Sequence, residues 1–227
     1  MLKFIIYSLI IIGLIFCSCQ MSSKDALLKD GYDIIFKTSD FNYSLPELKK
    51  LETVIERDLL PRVTETEKKE LNDFIIIIKK ASVQKNAFYE NASEFAELVI
   101  GSAKTSIILN NYLPSDDLDA QLRIPSTLLM ASDALKMIED PGSKESPKLD
   151  YSQDIAFFTK KSLELAEATL SRFPDEGRAY GQVGFVLVRT SGDKTKALQM
   201  YKRCIDLDED ADFCRDGYQT LQRNINK

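Results

Sequence analysis

The stretch Ala179-Tyr180-Gly181-Gln182-Val183-Gly184-Phe185-Val186-Leu187 is followed by a turn at Ser191-Gly192-Asp193. Then comes Ala197-Leu198-Gln199-Met200-Tyr201-Lys202-Arg203-Cys204-Ile205-Asp206-Leu207-Asp208. Both runs carry apolar residues at helical spacing, and the turn between them holds glycine and aspartate, so they read as a helical hairpin. Gly184 and Ala197, with little or no side chain, let the two backbones approach, while Tyr201 fills the gap to a neighbouring pair. Upstream, Ser162 to Pro174 reads as the end of an earlier pair. A shift of 35 positions puts Ser162 on Ala197, Leu163 on Leu198 and Pro174 on Glu209. A period of about this length, with small residues at fixed points, belongs to stacked helical repeats.

These residues resemble the tetratricopeptide repeat. Tyr180, Val183 and Gly184 match the large, apolar and small positions of its first helix, and Ala197, Tyr201 and Cys204 match the small, aromatic and small positions of its second. The turn is one residue longer than the family's, and Glu209 stands where the family has proline. The match covers one repeat and the half-repeat before it, about a quarter of the chain. The resemblance implies antiparallel helix pairs stacked against one another. It also implies an extended surface for a peptide or a partner helix, and the upstream helices must complete the stack. Arg178, Gln182 and Arg189 share a polar face opposite Tyr180, Val183 and Leu187. They are candidates for partner contact, or simply a solvated face. Cys204 falls late in one helix and Cys214 early in the next. In such a stack the two thiols approach bonding distance, as in cysteine-rich Sel1-type repeats, where the spacing is shorter. A disulfide and two buried thiols acting as small apolar residues are both open readings.

The other end of the chain decides where the domain sits. Lys3 supplies a positive charge, and the run from Phe4 to Phe16 is apolar except for Ser8 and Gly13. That length suits a signal peptide and is short for a membrane span. Phe16-Cys17-Ser18-Cys19-Gln20 resembles the bacterial lipobox, in which cleavage precedes a cysteine whose thiol takes diacylglycerol. The resemblance implies a signal peptide over 1–18, lipidation of Cys19 and a lipidated tether over 19–25. Cys17 is the weaker candidate, because bulky Phe16 would then occupy the cleavage site. The alternative is an uncleaved N-terminal anchor. Either way the domain faces the cell envelope outside the cytoplasm. Each acyl CH₂ buried contributes about 0.8 kcal/mol, so a multiply acylated cysteine holds stably. Gln20, where some bacteria use Asp for inner-membrane retention, favours the outer membrane.

Between the ends, residues 26–140 read as a helical region, either diverged repeats or a bundle, and 151–227 as tetratricopeptide-like helix pairs. Ser44-Leu45-Pro46-Glu47 is a capping box opening a helix to about Leu60, with Leu48, Leu51, Val54 and Ile55 on one face and Pro61 ending it. Thr64-Glu65-Thr66-Glu67 is a second box, whose helix runs to about Val83. The β-branched run from Phe74 to Ile78 has no turn signal on either side and reads as helix. Apolar all round, it predicts a central, well-covered element. Asn91 with Glu94 opens a helix to Leu109, and Ala96, Gly101, Ser102 and Ala103 predict a close helix contact. A short helix to Ile124 and a second one capped by Ser126, over Thr127 to Glu139, follow Pro114. The loop from Asp140 to Pro147 predicts a domain or subdomain boundary. The fold class expected is all-α, built from antiparallel helix pairs.

Composition narrows the function. Removing 1–18 leaves 209 of the 227 residues, with 29 basic against 35 acidic, a net charge of −6. With no long basic stretch, nucleic acid is not an expected partner. The chain has no histidine, which removes histidine triads, bases and metal ligands together. No phosphate-cradling glycine motif occurs, and neither a metal nor a cofactor is expected. Ser-x-x-Lys occurs at Ser82 to Lys85 and at Ser191 to Lys194 without the motifs that accompany it in penicillin-binding enzymes. The carboxylates Asp116, Asp117 and Asp119, and those from Asp206 to Asp212, lack the pattern of a calcium loop. No enzyme is expected. The leading expectation is a lipid-anchored module for protein–protein contact, a scaffold or accessory subunit. The alternative is a periplasmic small-molecule-binding or transport accessory lipoprotein, which requires Tyr89, Phe95, Asn110, Asn111 and Tyr112 to point into a pocket.

Overall fold

The computed structural model describes residues 44–84, 91–113, 116–139, 149–190, 192–208 and 211–225. The expected signal segment, Cys19 and the expected tether lie outside these residues, as do Tyr89, Lys85, Ser191 and residues 140–148. Every element among the described residues is helical, and there is no strand. The helices are α1 (Leu45–Val54), α2 (Glu65–Gln84), α3 (Ala92–Asn110), α4 (Leu118–Glu139), α5 (Ser152–Arg172), α6 (Gly177–Thr190), α7 (Lys194–Leu207) and α8 (Asp212–Ile225).

The ends of the helices follow from local chemistry. Ser44 donates its N–H to Glu47 Oε2 at 2.8 Å, and Thr64 does the same to Glu67 Oε2 at 2.9 Å. Asn91 Oδ1 accepts from the N–H groups of Ser93 and Glu94. Each link satisfies a backbone group that the first turn leaves without a partner. The chain continues from α1 through a π-helical turn, Ile55–Leu59, with Leu60 N–H bonded to Ile55 O at 2.9 Å. Pro61 has no N–H to extend the ladder further. Between α6 and α7, Gly192 takes φ of 66°, a left-handed conformation that glycine adopts without strain.

Two expectations are corrected. The break at Ile124 and the cap at Ser126 do not occur, since α4 runs continuously through Pro125. Pro125 cannot donate to the Gln121 carbonyl. Thr169 Oγ1 of α5 lies 3.5 Å from that oxygen, and Ser162 Oγ donates to the Pro125 carbonyl at 2.7 Å. The Thr169 hydroxyl, which also donates to Leu165 O at 2.9 Å, is thus the group nearest the carbonyl that the proline leaves without its helical donor, while Ser162 ties α5 to α4 at the proline itself. The second correction concerns Phe74 to Ile78. The run is helical, but Ile76 is 65% exposed, because α1 and α3 cover only two sides of α2.

Each helix packs against the next, and the α4/α5 and α6/α7 pairs share the most extensive contact. Alternate helices also touch, α6 meeting both α4 and α8. Two apolar clusters result. The first joins α1 to α4 and takes in Phe158 of α5, and the second lies among α5 to α8. Leu128 belongs to the first and Leu129 to the second, so α4 is a wall common to both. The expected boundary at 140–148 therefore connects two helices that lie side by side. In α3 the small residues act as expected. A Cβ built on Gly101 would sit 2.1 Å from Phe74 Cδ2, so the ring rests directly on the helix backbone.

Candidate functional site

The residues singled out for partner contact lie on one strip of α6 and face α4. Arg178 pairs with Asp119 at 2.7 Å, Gln182 Nε2 donates to Ser126 Oγ at 3.1 Å, and Arg189 pairs with Asp133. Asp119, Ser126 and Asp133 are seven residues apart, two turns of helix, so one face of α4 supplies all three partners. The three α6 side chains are thus already engaged within the chain. Both arginines stay about half exposed, at 55% and 45%, which keeps these pairs weak contributors to stability.

Beyond Arg189 the surface changes character. Phe185 and Val188 of α6 and Phe213 of α8 wall an apolar cleft of about 280 Å³, with Tyr201 of α7 beneath it. Asp216, Thr220 and Asn224 line its α8 side. The Phe213 ring lies 5.9 Å from Phe185 and 6.2 Å from Tyr201, both steeply inclined, which is the favoured geometry for aromatic pairs. The Arg189 guanidinium lies 5.8 Å from the Phe185 ring centre. Phe213 is 55% exposed and Val188 is 38% exposed. Burial pushes the Tyr201 phenol up to about 12, so the cleft floor is neutral at physiological pH.

The residues assigned to repeat packing support this floor. Val183, Ala197 and Tyr201 are buried, and Tyr180 packs partly buried against the same cluster. A Cβ on Gly184 would lie 3.1 Å from the Tyr201 ring and 3.3 Å from the Ala197 carbonyl. Cys204 and Cys214 form a disulfide that ties α7 to α8, with Cα atoms 6.3 Å apart. Gly181 makes room for it, since a Cβ there would sit 2.6 Å from Cys214 Sγ. Gly217 makes room for Tyr201 from the other side, at 2.7 Å from its Cζ. Neither this role of Gly181 nor that of Gly217 and Phe213 emerges from the sequence reading. A signal for the glycines was present, because glycine inside a helix is unfavourable by about 0.5–1 kcal/mol and marks a close approach.

Of the residues required for a small-molecule pocket, Tyr89 lies outside the described residues and the other four do not converge on a pocket. Tyr112 donates its hydroxyl to Glu67 Oε2 at 3.0 Å, and Asn111 Nδ2 donates to Glu67 Oε1 at 3.4 Å. They lock the end of α3 onto the first turn of α2. Glu67 is held below its ordinary range chiefly by the Thr64 backbone N–H, and burial of Tyr112 raises its phenol. Phe95 packs on the first cluster and Asn110 is half-buried. Ser82 Oγ is buried without a hydrogen-bond partner among the described residues. Of the acidic residues, Asp119 pairs with Arg178 and Asp117 Oδ1 accepts from Ala120 N–H at 3.0 Å. Among the described residues no group of three or more acidic, cysteine or histidine side chains is placed to hold a metal. None of their helices is long and apolar enough to cross a membrane.

Fold and site together define an all-helical protein of adjacent helix pairs that presents an open aromatic cleft near one end. The chain matches no protein-family model, no curated protein and no solved structure.

Proposed function

We propose that this protein is a lipid-anchored, tetratricopeptide-like interaction module whose α6/α8 cleft takes an apolar side chain from a segment of a partner protein outside the cytoplasm. The observation that carries the reading is the cleft itself. Its Phe185, Val188 and Phe213 keep apolar surface in solvent, an arrangement that marks contact sites. At about 280 Å³ it falls below the usual range of about 300–1,000 Å³ for small-molecule sites, and it is open. It suits a single anchoring side chain, the pattern of binding hot spots in protein interfaces. The ladder of Arg178, Gln182 and Arg189 with α4 continues the same face and supplies its polar flank. Anchoring rests on the lipobox residues before Cys19, and Gln20 favours the outer membrane. No catalytic role is proposed.

The test places a photo-crosslinking amino acid at Val188 in the cell. One reproducible protein adduct, lost when Phe213→Glu is added, is expected. Adducts unchanged by Phe213→Glu, or none from folded protein, overturn the reading. The anchor is tested separately. Fatty-acid labelling should vanish in Cys19→Ala, and labelling that persists sinks the lipid assignment.

A further inference from the structure

We propose that the α2/α3 hairpin carries a second docking surface, an acid-rimmed apolar trough for a basic amphipathic helix of a partner protein. The inference stands apart from the α6/α8 cleft and does not depend on it. The trough exists because Gly101 has no side chain. Phe74 sinks onto the α3 backbone at that point, and a hollow of about 170 Å³ opens between Ile77 of α2 and Ile100 of α3. Both isoleucines are only partly buried, so the floor of the hollow keeps apolar surface within reach of a ligand.

The rim identifies the kind of partner. Glu70, Asp73 and Glu97 face one ammonium, Lys104, so the trough has three negative charges against one positive. Neither Glu70 nor Asp73 is ion-paired among the described residues, and Glu97 lies in the field of Lys80 without forming a direct ion pair. The ends of the hairpin differ, since Glu94 is paired with Lys80 at 2.7 Å and Glu67 holds Asn111 and Tyr112. A carboxylate rim beside the partly buried Ile77 and Ile100 fits a helix with leucine-like residues on one face and lysine or arginine on its flanks. Such charge complementarity speeds association and rejects acidic competitors.

The experiment uses the full-length chain in nanodiscs of zwitterionic lipid. The probe is a fluorescein-labelled 18-residue helix of leucine and lysine in heptad register. Its counterpart has every lysine replaced by glutamate. Anisotropy is expected to report saturable binding of the lysine helix above the level of protein-free nanodiscs, with none for the glutamate helix. The combined variant Glu70→Lys, Asp73→Lys, Glu97→Lys changes only exposed positions. It is expected to weaken binding at least about tenfold, while Phe213→Glu leaves it unchanged. Equal affinity in the combined variant, equal binding of the glutamate helix, or absence of binding to the wild type overturns the proposal. So does a loss caused by Phe213→Glu, which would assign the probe to the other cleft. A dimer seen by sedimentation and abolished by the combined variant would make a second copy the occupant and would overturn it as well.

Discussion

Between α1 and α4 the helices are spaced by large side chains such as Leu48, Leu51, Phe74 and Ile124, whereas between α6 and α8 they close in over Gly181, Gly184, Ala197 and Gly217. Consecutive helices pack against one another in both regions, so the arrangement does not require one kind of residue. Bulky residues bury more apolar surface per contact, about 25 cal/mol per Å², but hold the backbones apart. Glycine and alanine lose that surface and give a close approach, which the Tyr201 ring and the Cys204–Cys214 bridge consolidate. In α3 the first region borrows the method of the second, with Gly101 against Phe74 and Ala96, Ser102 and Ala103 buried beside it.

The largest expected effect is at the junction. Phe158 is fully buried and carries α5 into the first cluster. Phe158→Ala is expected to lose about 3–5 kcal/mol in urea unfolding. A second transition appearing in the curve would show that the two regions unfold separately. Next is the bridge. Replacing Cys204 and Cys214 together by alanine is expected to lose about 2–3 kcal/mol. Hydrogen exchange should rise in α7 and α8 and stay unchanged in α1 to α3. Equal loosening in both regions would break the contrast.

Gly181→Ala is expected to lose about 1–3 kcal/mol because its Cβ meets Cys214 Sγ. Removing the bridge in the same chain should relieve most of that loss, a non-additivity read by a double-mutant cycle. Glu67→Gln should lose about 1 kcal/mol at neutral pH, the size of a lost helix cap. The Glu67 carboxyl titrates lower in the folded chain than its ordinary 4.5, so its contribution is present above that value. It disappears as pH falls through the folded value. Melting temperatures of wild type and variant should therefore converge as pH falls below the ordinary carboxylate range. Smallest of all, Arg178→Ala should change stability by under about 0.5 kcal/mol, since the Asp119 pair is exposed.

The starts of α1, α2 and α3 were legible because the caps at Ser44, Thr64 and Asn91 act on backbone groups two or three residues away. The repeat was legible only where small residues mark it, in α6 and α7. In the first region small residues mark the close contact of α3, at Ala96, Gly101, Ser102 and Ala103, but they do not repeat at a fixed period. Pro125 misled because the hydroxyl that approaches the orphaned Gln121 carbonyl, that of Thr169, is 48 residues distant from it. Arg178, Gln182 and Arg189 read correctly as one face, but a face does not reveal that α4 already occupies it. Ile76 belongs to an apolar run, and the side left uncovered depends on where α1 and α3 settle.

By itself the sequence determined the helical character of the chain and the starts of α1, α2 and α3, which rest on interactions within a few residues. Only the tertiary structure decided that α4 runs through its proline, that Cys204 reaches Cys214 over Gly181, and that apolar hollows lie between α2 and α3 and between α6 and α8. Those outcomes depend on side chains meeting across helices, up to 59 residues apart in the Arg178–Asp119 pair, and local pattern carries no record of such meetings.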